Sequence, residues 1–149
     1  MSGTYTNLLN HIVFSTKERA PLIDASLRDE LHKYVGGIIR GQRSEPIEIG
    51  GMPDHLHVVA KFHPEMSVSA MVRLIKSNSS KWVNERPKKG RFSWQTGYGA
   101  FSVSESQLPV VQSYVKNQES HHRKRTFQEE FQTLLDKHGI NYEERYLWV

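Results

Sequence analysis

Pro46-Ile47-Glu48-Ile49-Gly50-Gly51-Met52-Pro53-Asp54-His55-Leu56-His57-Val58-Val59-Ala60-Lys61-Phe62 is the stretch whose reading decides the fold. Pro46 to Gly51 alternates and closes on two glycines, and His55 to Phe62 is β-rich, so a tight turn at Met52-Pro53-Asp54 joins two strands as a hairpin. Successive side chains of a strand point to opposite faces. His55 and His57 therefore share one face, and Leu56 and Val58 the other. Two neighbouring imidazoles make a platform for a metal. A His-x-His pair is common by chance, and its plain alternative is a structural pair. Here it opens an apolar run, where buried imidazoles need hydrogen-bond partners or a metal to offset lost hydration. Asp54 reads either as a turn residue or as a carboxylate that orients one imidazole.

Upstream of the hairpin, Leu9, Ile12, Val13 and Phe14 make Tyr5 to Thr16 a first strand, interrupted by Asn10 and His11. Asp24 caps a helix whose Leu27, Leu31, Val35, Ile38 and Ile39 recur at helical spacing, and Gly41 stops it. Downstream, Ser67 caps a second helix with Met71, Val72, Ile75, Trp82 and Val83 toward a core and Arg73, Lys76 and Lys81 toward water. Phe92-Ser93-Trp94 and Tyr98 to Val103 read as two short strands, with Gly99 marking a bulge or a close backbone contact. The order βαββαβ predicts an α+β, ferredoxin-like sandwich with an antiparallel sheet.

A third helix starts near Ser106, tolerates Pro109 in its first turn, and sets Tyr114 and Gln118 one turn apart on one face. Gln118 offers a neutral carbonyl oxygen that suits a metal and equally suits solvent. The basic run Ser120 to Arg125 reads as a break. Thr126 then begins a further helix with Phe127, Phe131, Leu134 and Leu135, ended by Gly139. The tail from Ile140 to Val149 is apolar enough to be docked, on this subunit or another. Residues 1–149 are expected to form one domain, without internal repeat or linker.

The chain has no cysteine, which excludes cysteine nucleophiles, thiolate zinc sites and redox chemistry and is compatible with a reducing cytoplasm. No apolar run approaches the roughly 18 residues of a membrane span, and no P-loop pattern calls for a nucleotide cofactor. A cytoplasmic protein without membrane contact is expected. The formal net charge of +4 favours a polyanionic partner. Lys76, Lys81, Arg86, Lys88, Lys89 and Arg91 are candidates for a nucleic-acid edge, which Arg123, Lys124 and Arg125 extend; the plain alternative is a solvated turn. Trp82, Phe92 and Trp94 are candidates to stack on unpaired bases or, as the stronger reading, to fill the core.

His55-Leu56-His57, the segment Trp94 to Val103, and Tyr114-Val115-Lys116-Asn117-Gln118 with His121-His122 resemble, in matching order over nearly the whole chain, the single-tyrosine HUH transposases. These include small insertion-sequence transposases and REP-associated tyrosine transposases. The resemblance implies a metal held by His55, His57 and Gln118, magnesium or manganese, and Tyr114 as nucleophile. The implied activity is cleavage and rejoining of single-stranded DNA near hairpins, through a 5′-phosphotyrosine intermediate, by a homodimer. Unlike some members, the chain has no glycine in Val103-Ser104-Glu105-Ser106, where those members let the tyrosine helix swing between subunits. Two other readings are a nucleic-acid-binding protein of the same fold without a cleavage cycle, and a zinc hydrolase in which His55, His57 and His121 hold the metal.

Overall fold

A computed structural model gives the fold and describes residues 3–87 and 90–149. The ferredoxin-like unit runs β1 (Leu8–Ser15), α1 (Ala25–Gly41), β2 (Glu45–Met52), β3 (His55–Phe62), α2 (Val68–Asn84) and β4 (Gly99–Val103), followed by α3 (Leu108–Lys116), α4 (Gln118–His122) and α5 (Phe127–Lys137). The sheet is antiparallel with strand order β2-β3-β1-β4, the order that two βαβ halves give when both crossovers lie on one face.

Residue alternation divides the sheet into two buried faces. Ile12 and Phe14 of β1, with Leu56, Val58 and Ala60 of β3, meet Leu31, Val35 and Ile39 of α1 and Met71, Val72 and Ile75 of α2. On the opposite face Val13 and Phe101 meet Phe127, Phe131 and Leu135 of α5. This second layer explains why β3 is buried along nearly its whole length. The histidines lie on the side away from the main core, as the period of two requires.

Three caps hold where they were expected. The Asp24 carboxylate accepts from the Leu27 amide at 2.9 Å, Ser67 Oγ accepts from the Ala70 amide at 3.2 Å, and Thr126 and Glu129 form a capping box at the start of α5.

The local structure departs from expectation in four places. The first strand begins at Leu8 rather than Tyr5. Phe92 to Trp94 is not a strand: only Trp94 bridges Thr16. The Asn84 side chain holds the Phe92 amide and carbonyl, and the Trp94 indole donates to Ser79 Oγ at 2.9 Å, while backbone bonds from Lys17 to the Ser93 carbonyl and from Gln95 to the Ser15 carbonyl, each 2.9 Å, flank the single bridge. Gly99 marks no bulge, since the β1–β4 register is unbroken. It marks a close contact, because a Cβ there would lie 2.6 Å from the Phe131 ring. Finally, the helix through Tyr114 and Gln118 is two helices. Asn117 leaves helical geometry at φ −101° and ψ 33° while its side chain donates to the Ser113 carbonyl at 2.9 Å.

The tail docks on its own chain. Trp148 packs against Phe127 and Phe131, and the Gly97 amide donates to the Val149 carbonyl at 2.9 Å.

Candidate active site

His55 and His57 project from β3 toward α3, α4 and α5, and both are fully buried. The Asp54 carboxylate can only accept, so His55 Nδ1–H donates to it at 2.7 Å and the ring turns its Nε2 into the site. Asp54 is thus the orienting carboxylate as well as a turn residue. Gln118 donates its amide Nε2 to the Tyr114 carbonyl at 3.3 Å, which turns Oε1 toward the imidazoles. That oxygen lies 3.0 Å from His55 Nε2 and 3.1 Å from His122 Nε2.

Glu130 of α5, 2 % exposed, closes the cluster. One oxygen is 2.8 Å from His57 Nε2 and 3.5 Å from His55 Nε2. The other is 3.2 Å from His122 Nε2 and accepts the Tyr114 hydroxyl. Behind the site, His11 Nε2 lies 2.8 Å from His57 Nδ1.

The close approach of α3 has a steric cause. A Cβ at Gly50 would lie 2.2 Å from the Val115 carbonyl oxygen, so only glycine lets the Tyr114 helix rest on β2 next to His57, the cross-strand partner of Gly50.

Charge in the cluster is distributed by burial and pairing. Burial disfavours the Glu130 carboxylate, but hydrogen bonds from His122 and His57 outweigh it and hold the acid far below the usual range. His122 is correspondingly pushed up, burial being outweighed by its bond to Glu130. Burial holds His57 down against the pull of Glu130 and holds His11 down to about 3. Burial, then the Glu130 charge, pushes the Tyr114 hydroxyl up. The phenol is therefore protonated as it stands.

The structure brings His55, His57, Tyr114 and Gln118 into one cluster. Sequence reading missed Glu130 and gave His11 no role, and it offered His121 and His122 either as imidazoles able to approach the phosphate or as exposed polar residues. The signal for Glu130 was its spacing: with Phe127, Phe131, Leu134 and Leu135 it occupies the i, i+3, i+4, i+7, i+8 face of α5, where an acid is out of place. His55, His122 and Glu130 offer ligand atoms that all lie within 4.8 Å of one another, an arrangement able to hold a metal ion. His121 stacks instead on the Tyr114 ring at 4.5 Å.

The basic residues are distributed over several surfaces. Arg123, Lys124 and Arg125 line a cleft of about 650 Å³ that also borders Asp54 and His122, beside the site. Lys76 does not stay wet as expected: its ammonium donates to the carbonyls of Gln95, Thr96 and Gly97 at 2.9, 3.1 and 2.7 Å. Arg86 pairs with Glu30 at 2.5 Å and lies over the Trp82 ring. Lys81 and Arg91 are exposed, and Lys88 and Lys89 lie outside the described residues. Phe92 and Trp94 are core residues, and Trp82 is half-buried and stacked on Tyr34. Bases are therefore not stacked on Phe92 or Trp94.

Known proteins resemble this chain over most of its length. The ISDra2 transposase of Deinococcus radiodurans is 24 % identical over 123 residues, covering 78 % of this chain and 87 % of that protein. The transposase for insertion sequence element IS200 of Salmonella typhimurium is 27 % identical over 128 residues, 79 % of this chain and 81 % of that protein. Among solved structures, a Deinococcus radiodurans protein assigned as a transposase superposes with a TM-score of 0.62 at 23 % identity, covering 79 % of this chain and 95 % of that one. A REP-associated tyrosine transposase bound to a REP hairpin superposes with a TM-score of 0.58 at 14 % identity, covering 77 % of this chain and 70 % of that one. The IS200-like transposase family matches residues 4–118, the stretch from just ahead of the first strand to Gln118, and the chain belongs to that family.

Proposed function

We propose that this transposase nicks and rejoins single-stranded DNA at hairpin-bearing ends, with Tyr114 as nucleophile and His55, His57 and Gln118 as ligands of a magnesium or manganese ion. The observation that carries the reading is convergence: Gln118 Oε1 lies 3.0 Å from His55 Nε2, and His57 and the Tyr114 phenol both bond to the Glu130 carboxylate beside them. The donor set fits a divalent cation, since His55 Nε2 and Gln118 Oε1 converge to 3.0 Å and His55, His122 and Glu130 offer ligand atoms within 4.8 Å of one another. When bound, such an ion polarises the scissile phosphate and offsets the charge that develops on it.

The chain's own residues do the rest. Asp54 fixes the His55 ring. The Gln118–Tyr114 backbone contact couples the amide to the turn that carries the nucleophile. Tyr114 gives up its phenolic proton as Oη attacks phosphorus in line, the 3′-oxygen leaves and takes up a proton to become a hydroxyl, and the 5′-phosphate remains on the tyrosine. In the reverse direction a 3′-hydroxyl attacks the phosphotyrosine and releases the phenol, so rejoining needs no nucleotide cofactor. The cleft of Arg123, Lys124 and Arg125 suits the backbone of the incoming strand.

The enzyme is read as a single domain over residues 1–149, working in the cytoplasm as a homodimer. No helix among the described residues is long and apolar enough to cross a membrane. The test uses labelled single-stranded hairpin oligonucleotides from the source genome's element ends or repeats, incubated with protein and manganese and run on denaturing gels. A covalent adduct is expected that disappears in Tyr114→Phe and in excess chelator. An adduct that survives Tyr114→Phe, or no adduct from any such hairpin, overturns the reading.

A further inference from the structure

The Glu130 carboxylate occupies a position normally reserved for an apolar side chain. It sits on the inward stripe of α5 between Phe127, Phe131 and Leu134, is almost fully buried, and faces three imidazoles and a phenol. A buried carboxylate is costly unless it is paired or bound to a metal. It also lies beyond residue 118, where the family match ends.

The geometry around it converges on one point. Glu130 accepts the Tyr114 hydroxyl and lies 2.8 Å from His57 Nε2 and 3.2 Å from His122 Nε2. Gln118 Oε1 and a Glu130 oxygen lie 3.0 and 3.5 Å from His55 Nε2, and His55, His122 and Glu130 offer ligand atoms that all lie within 4.8 Å of one another. Nitrogen and oxygen donors gathered this closely can turn from one another to a single cation.

We propose that Glu130 is itself a ligand of the divalent cation, the one anionic member of a set otherwise made of imidazoles and an amide. The inference rests on the metal-dependent reading above. Two imidazoles and an amide are neutral, the imidazoles comparatively soft, and a hard, anionic carboxylate is what magnesium and manganese take most readily. α5, outside the family match, thereby completes the centre that β3 and α4 begin.

The competing role is a plug: Glu130 would satisfy the imidazoles in the ion's place and have to leave before the ion binds. The two roles predict opposite changes in affinity. Manganese binding to the full chain is measured from the loss of the free aqueous Mn2+ resonance, for the natural protein, Glu130→Gln, Glu130→Asp and His55→Ala, with circular dichroism on each. Glu130→Gln is expected to bind manganese at least about tenfold more weakly, approaching His55→Ala, and Glu130→Asp to fall between. Unchanged or tighter binding in folded Glu130→Gln overturns the proposal. If Glu130→Gln does not fold, Glu130→Asp decides: affinity equal to the natural protein's overturns it. Should the natural protein itself bind no manganese, the metal-dependent reading falls as well. Equal binding by the natural protein and Glu130→Gln, with adduct formation intact, sinks only the role of Glu130.

Discussion

His11 and His57 are 46 positions apart in the chain, yet their ring nitrogens lie 2.8 Å apart. Burial, with the neighbouring His57 adding to it, holds His11 down to about 3 from an ordinary value of 6.5. The unfolded chain therefore binds a proton at this position between about pH 6.5 and 3 that the native state refuses, so stability falls as the pH drops through that window. Thermal melts in chelator across pH 7 to 4 should show a shallower loss for His11→Gln than for the natural protein, although the variant starts less stable. Equal slopes would show that His11 is protonated in the native state. At this scale the sequence was half legible. His55 and His57 could be placed on one face because a strand's period is two, but His11 belongs to another strand and joins them through cross-strand pairing that no local pattern encodes. Glu130 was harder still, since an acid in an amphipathic helix is ordinarily a wet residue and only its spacing betrays it.

At the scale of elements, the site depends on how closely α3 can rest on β2. Gly50→Ala forces a methyl group to within 2.2 Å of the Val115 carbonyl oxygen. Either the helix or the strand must give, which typically costs about 1–3 kcal/mol. The expected result is a folded protein with a lower melting temperature and at least about tenfold less phosphotyrosine adduct, because Tyr114 and Gln118 flank Val115 and move with it. Full adduct yield from Gly50→Ala would show that α3 adjusts without disturbing the nucleophile. The helix caps at Asp24, Ser67 and Thr126 were legible because capping chemistry is local. The break at Asn117 was not: it lets Gln118 turn toward His55, a tertiary demand that outweighs the helical pattern on either side. Phe92 to Trp94 misled for a similar reason, since its pairing with the end of the first strand stops at one bridge, and Phe92 and the Trp94 indole bond instead to Asn84 and Ser79.

Taken whole, the molecule is one sheet covered on both faces, and its cations serve two different purposes. Lys76 closes a loop by donating to three carbonyls, whereas Arg123, Lys124 and Arg125 border the cleft at the site. Binding of single-stranded DNA should separate them. If all three cations of the cleft meet phosphates, replacing them with alanine lowers the slope of log affinity against log salt by about 2, at roughly 0.7 for each lost contact. Lys76→Met should leave that slope alone and lower the melting temperature. The reverse pattern, measured by fluorescence anisotropy from low to moderate salt, would reassign the DNA path to the Lys76 groove. The order of the six core elements was legible from periodicity and turns. Which surface α5 and the tail would cover was not, because their apolar stripes fit any apolar partner and only the second face of the sheet selects among them.

That second face has a consequence for how copies of such a gene decay. Residues 4–118 carry the whole family match, but Val13 and Phe101 and the imidazoles beside them are covered by Phe127, Phe131 and Glu130. A copy interrupted by a stop codon just after Gln118 would keep the whole matched stretch while losing the lid over half its interior. Such remnants would still be counted as transposase genes by resemblance, although their products would be sticky, half-covered sheets destined for proteolysis.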